Sequence, residues 1–245
     1  MLRRVKSLSR DELDLFVAEN LLHLVEDEVQ DIFDNPYCTP RILSSIAQTP
    51  RLTAFYSVRL RLVAHRQTPQ AHAVKFVHYL YWFDLLRLSC DVKIPAPVRR
   101  AIETQLVNRA GELSLGERVS SARRCTPALV KVFLFDPDPK VFASLLINQR
   151  LREDDLLHLI NSGRATVEQL ILIAADRRWT HRYAVRKALV LNPATPRAVA
   201  ASQLRYLSRK DLRQIHSAPQ TSVYLRRCIE RMRPEFFSAP LERLE

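Results

Sequence analysis

The feature that most constrains this chain is a Thr-Pro dipeptide that recurs between apolar segments: Thr39-Pro40, Thr68-Pro69, Thr126-Pro127 and Thr195-Pro196. A threonine at the N-cap accepts a hydrogen bond from an orphan amide of the first helical turn. A proline at N1 has no amide to leave unpaired and already holds a helical φ. Each pair therefore marks a helix start. Their surroundings match as well: Asn192-Pro-Ala-Thr-Pro is in register with His65-Arg-Gln-Thr-Pro and Arg123-Arg-Cys-Thr-Pro, and Asn35-Pro-Tyr-Cys-Thr-Pro is one residue longer. Asn148-Gln-Arg-Leu-Arg keeps the spacing without the Thr-Pro. The successive prolines lie 29, 58 and 69 residues apart, so the units are irregular or some have lost the motif.

The segments leading into these turns share a second pattern. Asp136-Pro-Asp-Pro-Lys-Val runs into Phe142-Ala-Ser-Leu-Leu-Ile-Asn148, and Asp176-Arg-Arg-Trp runs into Tyr183-Ala-Val-Arg-Lys-Ala-Leu-Val-Leu-Asn192. Both read as an acidic turn, an apolar-striped helix and a terminating asparagine, which gives a unit of helix, short turn, helix. From Asn35 to Met232, and most clearly from Arg118 to Ser217, these residues resemble bacterial HEAT-like or leucine-rich-repeat-variant arrays. The resemblance implies an all-α fold, an α-solenoid of antiparallel helix pairs stacked in a curved array, and assigns no activity. Some variant repeats of this kind carry a cysteine-bound iron–sulfur site, but the chain has no such cysteine cluster and no cofactor is expected.

Composition agrees with a helical reading. Three glycines against fourteen prolines are too few for a protein built on tight hairpins, whose turns need positive φ. The four cysteines, Cys38, Cys90, Cys125 and Cys228, are widely spaced and form no CxxC pair, which points to reduced thiols and the cytoplasm. No apolar stretch reaches the ~20 residues a membrane span needs, and basic residues at the start have no apolar signal region behind them. Helices are expected near 52–64, 68–88, 97–109, 114–122, 127–135, 139–148, 153–161, 166–175, 180–191, 196–205, 209–216 and 222–232, after an acidic capping helix in 1–34 and before a tail in 234–245. Residues 35–233 form the repeat domain.

No catalytic signature is present: no phosphate-cradling loop, nucleophile elbow or HExxH occurs, and no two of the seven histidines are spaced as metal ligands. The aromatic run Phe76, Tyr79, Tyr81, Trp82 and Phe83 faces several sides of one expected helix, as a central, covered helix does. Fold-level analogy with helical-repeat DNA glycosylases draws Trp82, Asp84 and Trp179 into a third-ranked enzymatic reading.

Charge is polarised. Residues 1–34 hold four Lys and Arg against nine Asp and Glu, whereas Arg177 to Arg233 holds fourteen basic residues against only Asp211 and Glu230. Arg182, Arg186 and Lys187, then Arg209 and Arg213, then Arg226, Arg227 and Arg231 fall away from the apolar stripes of their helices. They are the candidate partner-binding residues, beside the simpler reading of a solvated exterior. The expected function is a non-enzymatic interaction module that presents this face to an acidic protein segment. Non-specific binding of nucleic-acid phosphates is the alternative, and no small-molecule substrate is expected.

Overall fold

The computed structural model describes residues 5–236, so most of the expected tail, 237–245, lies outside the described residues. The fold is all-α, with eighteen α-helices and no strand among the described residues. None of these helices is long and apolar enough to cross a membrane. Contacts divide the chain between Leu113 and Ser114 into two units.

The first unit contains α1 (Arg10–Asn20), α2 (Glu26–Asp34), α3 (Pro40–Gln48), α4 (Pro50–Thr53), α5 (Tyr56–Ala64), α6 (Gln70–Val77), α7 (Trp82–Ser89) and α8 (Ala96–Arg109). The second contains α9 (Leu115–Ala122), α10 (Pro127–Phe133), α11 (Pro139–Leu146), α12 (Glu153–Asn161), α13 (Val167–Ala175), α14 (Arg177–Thr180), α15 (Tyr183–Leu191), α16 (Arg197–Leu204), α17 (Arg209–Ser217) and α18 (Val223–Met232).

Four expected helices are broken; 52–64 divides into α4 and α5 at Ala54 and Phe55. The acidic start is two helices, α1 and α2. The segment 68–88 divides into α6 and α7, and 180–191 begins only at Tyr183, behind the short α14. In the first unit Phe55 is extended at the start of α5 (ψ 129°), and Arg182 does the same before α15 (ψ 117°). Between α6 and α7, Tyr79 and Leu80 close a tight turn by donating to the carbonyls of Phe76 and Val77. The aromatic run is therefore split: Phe76 and Trp82 are buried, while Tyr79, Tyr81 and Phe83 are exposed.

The Thr-Pro pairs stand at helix starts in two ways. Pro40 and Pro127 occupy N1, but Pro69 and Pro196 are themselves the N-caps, with ψ 132° and 135°. Thr39 Oγ1 accepts from the Ile42 amide at 3.4 Å, whereas the hydroxyls of Thr68, Thr126 and Thr195 are buried with no hydrogen-bond partner among the described residues. A fifth pair, Thr49-Pro50, opens α4.

The asparagines at the helix ends do more than terminate. The Asn148 amide donates to the carbonyls of Ala122 (2.8 Å) and Cys125 (3.3 Å), and its Oδ1 accepts from the Arg150 amide at 2.8 Å. Asn35 makes the same pattern with Val5, Leu8 and Tyr37, and Asn192 with Ile160 and Ala194. One side chain thus turns the chain after its own helix and ties that turn to the preceding one. His65, in register in the sequence, keeps half of this: its Nδ1 accepts from the Gln67 amide at 3.3 Å.

The two units repeat one another. A shift of 127 residues, the distance from Tyr56 to Tyr183, carries α2, α3, α4, α5 and α6 onto α12, α13, α14, α15 and α16 with identical bounds, and α7 onto α17 with the same start. The packing pairs recur: α2 with α5 as α12 with α15, α5 with α6 as α15 with α16, α6 with α8 as α16 with α18, and α7 with α8 as α17 with α18. The second unit's cluster of Val190, Ala200, Leu204, Leu207, Leu212, Ile215, Leu225 and Ile229 maps onto Val63, Ala73, Val77, Leu80, Leu85, Leu88, Val98 and Ile102, all buried. The uneven proline spacing follows in part, because Pro69 and Pro196 are equivalent while Val167 stands where Pro40 stands.

Candidate functional site

The repeated helices share a polar brace. Tyr183 donates its hydroxyl hydrogen to Asp211 and accepts from the Ser208 amide at 2.9 Å, which satisfies an amide that starts α17. Tyr56 does the same with Asp84 (2.5 Å) and the Tyr81 amide (3.1 Å) at the start of α7. Lys187 adds an ion pair to Asp211 at 2.9 Å. The hydrogen bond from Tyr183, with that from Lys187, holds the Asp211 carboxyl down at about 2. Burial and the hydrogen bond to Asp84 push the Tyr56 phenol up to about 12. Each brace pins a helix start to the N-terminal turn of a helix one removed in sequence.

In the second unit α13 to α16 border a cleft of ≈ 470 Å³ lined by Arg177, Thr180, His181, Arg186, Arg205 and Tyr206, together with Ala174, Ala175, Ser202 and Gln203. Arg186 sits in it by two contacts: its Nε donates to the Thr180 carbonyl, and its guanidinium lies 3.7 Å from the Tyr206 ring centroid. Arg205 stands over the same ring at 4.9 Å. No carboxylate lines the cleft, and Arg177, Arg186 and Arg205 take part in none of the ion pairs among the described residues. Three arginines lining one cavity without a counter-charge raise its positive potential and favour an anion there.

The eight candidate residues fall into different environments. Arg186 is in the cleft. Arg182 pairs with Glu153 at 2.8 Å and Lys187 with Asp211, so both tie helices together. Arg226 turns back to the Ala218 carbonyl at 2.9 Å, and Arg213 lies over the Phe236 ring at 4.7 Å. Arg209, Arg227 and Arg231 are exposed. Cleft residues Arg177, His181, Arg205 and Tyr206 were not among the sequence candidates. For Tyr206 the signal is the recurrence of Tyr-Leu at Tyr79 and Tyr206, 127 residues apart; Arg177, His181 and Arg205 carry no such signal, because Pro50, Ala54 and His78 stand at the equivalent positions. Trp82 and Trp179 are buried in the core, and Asp84 is engaged by Tyr56 and by Arg87 at 2.9 Å, so the three do not meet in an open pocket.

Among the described residues no group of three or more His, Cys, Asp and Glu side chains is placed to hold a metal ion. The four cysteines form no disulfide among the described residues, and burial pushes the Cys38 thiol up to about 12. No protein-family model, curated protein or solved structure matches the chain.

Proposed function

We propose that the chain is a non-enzymatic, cytoplasmic interaction module of the HEAT-like α-solenoid type, which binds an acidic segment of a protein partner. The observation that carries this reading is the cleft of Arg177, Arg186 and Arg205, unneutralised and shaped around Tyr206. A guanidinium fixed by a ring face and a backbone carbonyl is already ordered, so a carboxylate meets it with little further loss of side-chain freedom. The exposed Arg209, Arg227 and Arg231 would add long-range attraction that salt screens. Widely spaced cysteines that form no disulfide among the described residues fit a reducing compartment.

Nucleic acid is the second reading, but the state of Tyr206 disfavours it. Single strands gain much of their affinity by stacking bases on aromatic faces, and here two guanidiniums occupy the neighbourhood of that ring. A base would have to displace them, whereas a carboxylate uses their free edges. The test is a titration with a fluorescent acidic peptide, generic duplex DNA and single-stranded RNA at two salt concentrations. The expected result is micromolar peptide binding that weakens with salt and falls about tenfold in Arg186→Gln, from the loss of one charge-assisted hydrogen bond. Binding of RNA or DNA with no binding of the peptide would overturn the reading.

A further inference from the structure

We infer that the first unit carries a second site for the same acidic group, in the cleft bounded by α3 to α6, so that one chain offers two sites of common design. This rests on the reading of the second unit's cleft as a carboxylate site. The first cleft has a volume of ≈ 410 Å³ and is lined by Ala47, Gln48, Pro50, Thr53, Arg59, His72, Lys75, Phe76 and Tyr79. Under the 127-residue shift these positions fall on Ala174, Ala175, Arg177, Thr180, Arg186, Val199, Ser202, Gln203 and Tyr206, and all but Val199 line the second cleft. The shared geometry reaches the chemistry: the Arg59 guanidinium stands over the Tyr79 ring at 5.4 Å, as Arg186 stands over Tyr206. Arg59 also reaches back to the turn between α4 and α5, to the Ala54 carbonyl at 3.4 Å. The threonine under each arginine closes its own short helix, Thr53 on the carbonyls of Thr49 and Pro50, and Thr180 on those of Asp176 and Arg177.

Packing alone does not account for what the two clefts have in common. Buried pairs such as Leu62 and Leu189 recur because a core needs them. Tyr79 and Tyr206 recur although they are 56% and 48% exposed. The lining cations differ in position and agree in sign: Lys75 in the first unit answers to Arg177 and Arg205 in the second, with His72 and His181 as neighbouring imidazoles. Like the second, the first cleft is lined by no carboxylate, and Arg59 and Lys75 enter none of the ion pairs among the described residues. Phe76 stands where the second cleft has Gln203, which suits the first site to an acidic residue flanked by an apolar one.

The test uses the full chain and a tetraglutamate peptide, a short probe chosen to fill one cleft, read by NMR at the side-chain Nε–H signals of Arg59 and Arg186. Both signals should shift and saturate. Lys75→Gln, an exposed substitution, should weaken only the Arg59 response by about tenfold, and Arg205→Gln only the Arg186 response, each removing one charge-assisted contact. A shift of Arg186 alone overturns the second site and leaves the first reading standing. Silence of both signals overturns the two together. Movement of both signals that neither substitution weakens selectively also overturns the inference, because it reports diffuse charge and no defined clefts.

Discussion

Replacing Asn148 by alanine is the sharpest test of how the helical units are held together. The residue is 2% exposed; its side-chain amide donates to the Ala122 and Cys125 carbonyls and to the Cys125 sulfur at 3.4 Å, which connects α11 to the turn after α9, and its Oδ1 accepts from the Arg150 amide in its own turn. Alanine removes them all; the Ala122 carbonyl keeps only the weak Cys125 thiol donor at 3.6 Å, and the Cys125 carbonyl a long contact to Arg150 at 3.5 Å. Two well-formed bonds are worth about 1 kcal/mol each net, and a buried carbonyl left with only a weak partner costs about 1 kcal/mol more, so the loss should be about 3 kcal/mol. For a cooperative unit of about 120 residues that lowers Tm by about 12 °C. Asn192 is less buried and reaches one carbonyl, Ile160 at 2.5 Å, so Asn192→Ala should cost only about 1 kcal/mol. Urea denaturation followed by circular dichroism gives both values. A loss below about 1 kcal/mol for Asn148→Ala, or a larger loss at Asn192 than at Asn148, would show that the asparagine tie is not what couples these turns.

The two braces give a second comparison: Tyr56→Phe and Tyr183→Phe each remove one hydroxyl that donates to an aspartate and accepts from an amide. Each should cost about 1 to 2 kcal/mol in a denaturant titration, and a cost at one site with none at the other would refute their equivalence. Acid provides a third. Because the Asp211 carboxyl is held down to about 2, against an ordinary 3.8, the stability it adds is complete above pH 4 and is lost as pH falls toward 2. Asp211→Asn should therefore flatten the loss of the urea midpoint between pH 4 and pH 2, and an unchanged slope would refute the contribution.

The local grammar of this chain is readable because it depends on neighbours a few residues apart. Thr39 with Pro40 and Thr126 with Pro127 start helices where the dipeptide predicts, and 153–161 is a helix to the residue, with Asp155 accepting from the Arg152 amide at its start. The breaks at Phe55 and Arg182 are not readable in this way. Neither residue is a glycine or proline, and each is extended because the short α4 or α14 before it must turn so that α5 or α15 can pack on its neighbours. The asparagines are intermediate: their terminating role is local and visible, whereas their reach to Ala122 or Val5 depends on the fold.

The same distinction explains why a count of cations located a region and missed the site. Fourteen basic residues against two acids in Arg177 to Arg233 leave most of them without a carboxylate partner inside the segment, but the count does not say which reach one outside it, as Arg182 reaches Glu153, or spend their donors on backbone. Arg226 does so on the Ala218 carbonyl, and Arg186 on that of Thr180. What sets Arg186 apart is that it lines a cavity shared with Arg177 and Arg205, residues 9 and 19 positions away, on α14 and in the turn after α16. Tyr183 and Asp211 tie the start of α15 to α17, and Tyr56 and Asp84 tie the start of α5 to α7 in the same way. Braces and clefts thus recur together in the two units, while the charge in the clefts changes position, as from Arg177 and Arg205 to Lys75, and keeps its sign.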